Sequence, residues 1–342
     1  MHVAVLDSSH KKVLNAFVTV AKGSPIEQSW EWGEFQVKIP GRPAFRVFAV
    51  VDAEGDEKEG AFLATLLVVR QEMGFGKTWL WAPRGPVFKE GMTAEEAHEA
   101  WGLLLEALRN WARLHGDVYL RVEPGFLPEA LALGGCAESI SYTPVHSLFL
   151  DLKKGEKKLL EEMTQKGRYN IKIAEKAGVK VRRGTEADVT AFHALVQQTG
   201  GRDGFSVHPL GFYRAFLEEL DGKARLYVAE YEGRVVGGIL ATFFGSVATY
   251  YYGASSNEDR KVMAPYLIQW QAICDAIQEG CETYDFFGVA PEGDEKHAWA
   301  GVTQFKTRFG GQRVSYAGSR VFVYRPLWWR VVRLVKGWRD LF

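Results

Sequence analysis

One order of secondary-structure elements occurs twice along this chain, and the repetition narrows the fold to a pair of similar units. Residues 225–231 alternate like a strand, Glu232-Gly233-Arg234 turns, and 235–244 returns as a second strand. A third strand at 246–254 is rich in tyrosine. Residues 264–280 then carry Leu267, Ile268, Ala272, Ile273, Ala276 and Ile277 at helical spacing and end at a glycine. A strand at 283–287 follows. The first half has the same order: strands at 45–51 and 61–70 around a charged loop at 52–59, a strand at 77–82, a helix at 93–114, and a strand at 118–122. Thr93 and Glu96 form a capping-box pattern at the start of that helix. Hairpin, strand, helix and strand, twice over, predicts two related α/β units. At 342 residues, each has enough chain for its own core.

Between the units, residues 153–183 read as a helix followed by the start of a strand. Eleven basic residues there face only Glu156, Glu161, Glu162 and Glu175, a net charge of +7. The whole chain balances 42 Lys and Arg against 42 Asp and Glu, so attraction to a polyanion must be local. Leu159, Leu160, Met163 and Ile171 supply a packing stripe. By itself the run reads first as a solvated helix face, with phosphate contact as the sharper alternative. In residues 325–342, basic residues recur every three or four positions between tryptophans and aliphatics. That composition suits an interfacial amphipathic helix, or a helix closing on the first domain, and the two are compatible.

Several chemistries lack their residues. Met73-Gly74-Phe75-Gly76-Lys77-Thr78 ends like a P-loop, but Gln71 replaces its first glycine and a strand-like run follows it. Gly253-Ala254-Ser255-Ser256-Asn257 lacks the closing glycine of a nucleophile elbow. The eight histidines are scattered, so no metal centre is expected. Cys136, Cys274 and Cys281 form no C-x-x-C, which suits a reducing cytoplasm. No signal peptide is read at the N-terminus, and no apolar run is long enough to cross a bilayer.

Residues 299–311 place Lys306 between Phe305, Phe309 and the pair Gly310-Gly311. The segment alone favours a surface lysine on a strand, its stem over the phenylalanines. The alternative is a cation screened from water by ring walls, able to hold developing negative charge.

The repeated unit resembles the GNAT acyltransferase fold, in which a glycine-rich loop before the helix grips the pyrophosphate of coenzyme A. Here that junction is Arg260-Lys261-Val262-Met263-Ala264-Pro265, without the glycines, and 85–92 fits no better. This predicts an acyl-transfer scaffold that uses no coenzyme A.

A set of motifs in this order and spacing resembles the Fem family of non-ribosomal peptidyltransferases (FemA, FemB and FemX) that build peptidoglycan cross-bridges. The motifs are Gln28-Ser29-Trp30-Glu31-Trp32, Arg84-Gly85-Pro86-Val87, Lys166-Gly167-Arg168-Tyr169-Asn170-Ile171, Arg202-Asp203-Gly204-Phe205, Tyr251-Tyr252-Gly253-Ala254-Ser255, Met263-Ala264-Pro265-Tyr266-Leu267, Tyr284-Asp285-Phe286, and Phe305-Lys306 with Phe309-Gly310. The resemblance implies a mixed α/β fold of two tandem GNAT-like domains, at 1–147 plus 318–342 and at 148–317. It implies the compact, FemX-like form, because 163–181 leaves no room for an inserted coiled coil.

The implied reaction is attack by the free amine of a cell-wall precursor's stem peptide on the ester of an aminoacyl-tRNA, with no cofactor. Lys306 matches the family lysine assigned to the transition state and leaving group, with Phe305 beside it. Tyr251 and Tyr252 match the region that contacts the precursor, and Arg84 and Arg202 fall in motifs of the same set. Gln36 with Lys38, and His208 with Phe212, stand where relatives carry lysine, and arginine then tyrosine. Those departures favour a lipid-linked over a UDP-linked muramyl pentapeptide, and a tail resting on the inner leaflet of the membrane. Lys166, Arg168, Lys172 and Lys176 are the expected tRNA contacts, and the expected location is cytoplasmic, peripheral on the membrane's inner face. For Arg168 and Arg202 a salt-bridge role stands beside phosphate contact, and for Asp203 and Asp285 structural capping is favoured over catalysis. The alternatives are an N-acyltransferase acting on another amine, such as an exopolysaccharide or small molecule, and a non-catalytic membrane-surface or tRNA-binding adaptor.

Overall fold

The computed structural model describes every residue except 53, 54, 57–59, 138–140 and 340–342, and describes 335–339 as helix backbone. Most of the charged loop expected at 52–59 therefore lies outside the described residues, as does the end of the C-terminal tail. The chain divides into two units, Met1–Thr143 with Tyr316–Phe342, and Pro144–Ser315.

The first unit contains β1 (His2–Leu6), α1 (Lys11–Val20), α2 (Trp30–Val37), β2 (Ala44–Val51), β3 (Phe62–Met73), β4 (Lys77–Pro83), β5 (Val87–Phe88), α3 (Ala94–His115), β6 (Tyr119–Glu123) and β7 (Cys136–Ala137). The second contains β8 (His146–Asp151), α4 (Gly155–Glu162), α5 (Gln165–Ala177), β9 (Lys180–Arg183), α6 (Val189–Asp203), α7 (Leu210–Glu219), β10 (Ala224–Tyr231), β11 (Arg234–Phe244), β12 (Val247–Ser255), α8 (Ala264–Gln278), β13 (Thr283–Asp285), α9 (Ala300–Thr307) and β14 (Gln312–Ser315). The chain then returns to the first unit with β15 (Arg320–Val323) and α10 (Pro326–Arg339).

Each unit holds one sheet. The first runs β1-β2-β3-β4-β6-β15-β7, with β5 beside β3; the second runs β14-β8-β13-β12-β11-β10-β9. Each has one parallel pair, β4 with β6 and β12 with β13, and each pair is joined by a long helix, α3 or α8. A parallel pair needs such a crossover, which is why hairpin, strand, helix and strand recur in this order. The α3 capping box is present, with Thr93 and Glu96 each satisfying the other's backbone N–H. Its buried stripe, Trp101, Leu104 and Leu108, packs with Phe48, Val50, Leu66 and Val68.

In the first sheet β3 changes partner. It pairs with β4 from Met73↔Lys77 to Val69↔Trp81, and with β5 at Thr65↔Val87 and Ala64↔Phe88. The gap between is filled by the side chain of Gln28. Its Oε1 accepts from the Leu67 N–H at 2.7 Å, and its Nε2 donates to the Pro83 carbonyl at 2.6 Å. Gly85 closes against this amide, since a Cβ there would come within 2.7 Å of Gln28 Nε2. Leucine at position 28 would strand both backbone groups in a dry core. Gln28→Leu is expected to cost about 2–4 kcal/mol of stability, read as a lower urea midpoint, and an unchanged midpoint would contradict this role.

Three expectations need correction in the second unit. The basic segment at 153–183 forms two helices rather than one. Met163 is extended at ψ 148°, and Thr164 caps α5 by accepting from the Gly167 N–H. The strand expected at 283–287 ends at Asp285, because Phe287 adopts a left-handed φ of 58°. Lys306 lies on α9, not on a strand. No helical pair is inserted between α5 and β9, which run on through Gly178 and Val179.

Candidate active site

The site is built around the amine of Lys306. Strand β12 carries a bulge: Leu240 pairs with Tyr252 and Ala241 with Tyr250, so Tyr251 is the extra residue in the register. Without the bulge Tyr250 and Tyr252 would share a face of the sheet. With it, Tyr250 faces Phe286 and the Lys306 amine, whereas Tyr252 packs with Phe212, Tyr213 and Phe216 of α7.

On the other side, residues 286–299 form the loop into α9. The Ala290 N–H donates to Thr303 Oγ1 at 2.8 Å, which ties the loop to the helix. One turn on, Lys306 Nζ donates to the Gly288 carbonyl at 2.6 Å and sits 5.3 Å from the centre of the Tyr250 ring. Gly288 must be glycine, since a Cβ there would lie 2.8 Å from the Trp299 ring. Asp285 is buried nearby, accepting from Ser147 Oγ and from the Phe287 N–H.

Lys306 is only 6 % exposed. Its burial pushes the ammonium down to about 7, while the Asp285 carboxylate pulls in the opposite direction. Ammonium and free amine are therefore both accessible near neutrality, which suits a group that gives up and regains a proton. The folded chain releases this proton near pH 7, whereas an unfolded lysine keeps it to about 10.5. Stability contributed through Lys306 therefore rises with pH across that interval. Relative to Lys306→Met, the wild type should gain on the order of a few kcal/mol between about pH 6 and pH 10 in denaturant unfolding. A constant difference would contradict a depressed amine.

The remaining expected residues fall in separate places. Phe305 packs edge-on to Tyr266 and Phe309. Tyr251 lies against Phe287 and Phe216. His208 stacks on Phe212 at 3.9 Å and meets Tyr252 edge-on. Arg202 is engaged by both oxygens of Asp203 and by Asn257. In the first unit, Gln36 is buried and accepts from Arg42, and Lys38 is exposed at the end of α2. Arg84 has its guanidinium 3.7 Å from the centre of the Tyr316 ring. It borders a cavity of about 390 Å³, lined also by Lys22, Lys89, Glu90, Met92 and Phe126.

Charge along the basic segment is unevenly used. Near and on α4, Lys153, Lys154 and Lys158 pair with Glu282, Glu162 and Glu161. Arg168 turns inward and donates to the carbonyls of Leu160, Glu161 and Met163, satisfying the end of α4. Lys166, Lys172 and Lys176 on α5 are exposed, and among the described residues none is paired with a carboxylate. Their spacing puts them on one face with the exposed ring of Tyr169.

Before α8, the N–H groups of Val262, Met263 and Tyr266 are bonded to Asp259, Arg260 and Met263 carbonyls, and Pro265 has none. These amides are occupied by the turn itself rather than aimed outward as an anion cradle. Among the described residues there is no cluster of three His, Cys, Asp or Glu able to hold a metal ion, and no helix long and apolar enough to cross a membrane.

Sequence reasoning singled out Lys306, Tyr251 and Tyr252 but not Tyr250 or Gly288, whose ring and carbonyl face the amine. The clustered tyrosines were the available signal, but the bulge that separates their faces has no sequence mark.

Two sheets with one parallel crossover each make a tandem GNAT-like fold. This fold matches a crystal structure of FemX at a TM-score of 0.82, over 96 % of this chain and 99 % of that one, at 19 % identity. A tandem GNAT protein from the clavulanic acid biosynthesis pathway matches at 0.55, over 94 % of this chain and 99 % of that one, at 12 % identity. The sequence profile of the FemAB family matches residues 130–234 and 231–337, and this chain belongs to that family. Among its relatives is the lipid II:glycine glycyltransferase of Staphylococcus aureus (strain COL), 22 % identical over 321 residues, 70 % of this chain and 76 % of the relative. The lipid II:glycine glycyltransferase of Staphylococcus epidermidis (strain RP62A) is 22 % identical over 256 residues, 56 % of this chain and 62 % of the relative. The chain thus spans about three fifths of the second relative's length.

Proposed function

We propose that this chain passes the aminoacyl group of an aminoacyl-tRNA to the free amine of a stem peptide on a lipid-linked peptidoglycan precursor. The observation that carries the reading is the buried Lys306 amine on the Gly288 carbonyl and the Tyr250 face. Membership of the FemAB family and the names of the staphylococcal relatives support the substrate class.

The ester of an aminoacyl-tRNA is already activated, so the protein must position it, stabilise the oxyanion and move one proton. The acceptor nitrogen attacks the ester carbonyl and forms the C–N bond. The ammonium of Lys306 holds the charge that develops on oxygen, and the C–O bond to the ribose then breaks. Lys306 gives its proton to the departing ribose oxygen and recovers one from the acceptor nitrogen, leaving an amide and a free hydroxyl. An amine lowered to about 7 by burial releases that proton more readily than an ordinary lysine.

The unpaired lysines of α5 and the exposed Tyr169 supply a basic, stacking face for the tRNA. Within the first unit, Lys22, Arg84 and Lys89 give the cavity a cationic lining that suits an anionic group. The occupied amides before α8 favour an ester donor over a coenzyme A thioester.

Radiolabelled transfer from aminoacyl-tRNA to lipid-linked and to UDP-linked precursors tests the reading. Transfer to the lipid-linked acceptor is expected, and Lys306→Met should lower it by at least about 100-fold while the fold is kept. Transfer undiminished in that variant, or transfer only to a different amine, would sink the proposal. Binding of aminoacyl-tRNA should weaken steeply with salt. Replacing Lys166, Lys172 and Lys176 together with glutamine should reduce the slope of log K against log salt by roughly two to three. A slope unchanged by the substitutions would return α5 to a solvated face.

A further inference from the structure

Helix α10 presents apolar side chains on both of its faces. Its inner face is packed: Trp329 meets Tyr119 at 4.7 Å, and Trp328 lies between the ring of Phe75 and the amine of Lys77, 4.9 Å from its ring centre. Its outer face carries Leu327, Val331 and Leu334, at the i, i+4, i+7 spacing of a single stripe. Leu327 is 76 % exposed and Leu334 67 %. A helix that only closed a core would turn such a stripe inward and polar residues outward.

Two further apolar side chains flank the same helix. Phe75 stands at the tip of the β3–β4 turn, 80 % exposed, with its ring tilted against Trp328 at 6.3 Å. Leu114 is 84 % exposed at the end of α3, where the carbonyl of Arg113 accepts from Arg325. Around these side chains stand Lys77, Arg113, Arg325, Arg330 and Arg333, and residues 326–339 contain no acidic residue.

We propose that the outer stripe of α10, with Phe75 and Leu114, is a docking surface for an anionic lipid bilayer. Outward leucines, tryptophans at the boundary and arginines beside them are the arrangement of a helix lying in the headgroup region. Five cations without an acidic residue on the helix match a negative leaflet and not a neutral one. The surface lies within the first unit and includes none of the residues assigned to transfer, so the inference does not rest on the proposed reaction.

Co-sedimentation of the full chain with vesicles of mixed phosphatidylcholine and phosphatidylglycerol tests it. The wild type is expected to bind these vesicles at least about tenfold more tightly than pure phosphatidylcholine. Leu327→Glu with Leu334→Glu, and separately Phe75→Ser, should each weaken binding by about tenfold or more. Arg330→Gln with Arg333→Gln should weaken it only on anionic vesicles. These side chains are exposed, so the melting temperature should stay within a degree or two of wild type and certify the fold. Lys306→Met should bind vesicles like the wild type, which separates failure of this surface from failure of the reaction. Absence of wild-type binding, or binding indifferent to the leucine and phenylalanine changes, would overturn the proposal. So would a stripe whose leucine changes turn a dimer into a monomer in light scattering and leave vesicle binding as it was, since a second copy would then be its occupant.

Discussion

A buried lysine amine with a carbonyl on one side and an aromatic face on the other is the arrangement on which the second unit's site depends. Nothing in the hydrophobic effect favours it. Burial penalises the ammonium, and one carbonyl, one ring face and the field of a buried carboxylate offset that only in part. The surrounding features can be understood as the means of holding the amine there. The left-handed Phe287 turns the chain at the end of β13, and the absent Cβ of Gly288 leaves room for the Trp299 ring. Thr303 ties the loop to α9, and the β12 bulge swings Tyr250 towards the amine. Strain and irregularity of this kind collect where a scaffold serves chemistry rather than stability.

The repeated architecture was legible because each of its signals is periodic. Alternation marked the hairpins, the 3.6-residue stripe marked α8, and the Thr93/Glu96 pair marked the start of α3. Their order then implied the crossover between parallel strands. The break in the basic segment was also written there, since Thr164 is a good N-cap, but it is a single-residue signal inside a run that reads as continuous helix. Its charge count concealed a division of labour: Lys153, Lys154 and Lys158 pair with glutamates, Arg168 closes α4, and α5 keeps a basic face.

The sequence singles out Lys306 but not its setting, a buried position on a helix. Residues 300–307 mix β-branched and aromatic side chains with a glycine, and local propensity favours a strand there. The helix that forms instead buries Thr303 and Lys306, three residues apart, against the loop that precedes it. That is tertiary context overriding propensity. Similarly, the tyrosine run advertised itself, but which ring faces which side depends on one extra residue in the ladder. Family resemblance pointed to Tyr251 and Tyr252. The geometry adds Tyr250, whose ring lies closest to the amine among the aromatic faces described around it.

The central claim is that burial holds the Lys306 amine half-deprotonated at neutral pH. Heteronuclear NMR of protein carrying labelled lysine side chains, titrated from about pH 5 to pH 11 and assigned with Lys306→Met, reads this directly. The account predicts one resonance, lost in that variant, that titrates near 7, well below the ordinary value of a lysine amine. A Lys306 signal titrating at that ordinary value would mean that the ammonium is ordinarily solvated, and the chemistry assigned to it would have no basis.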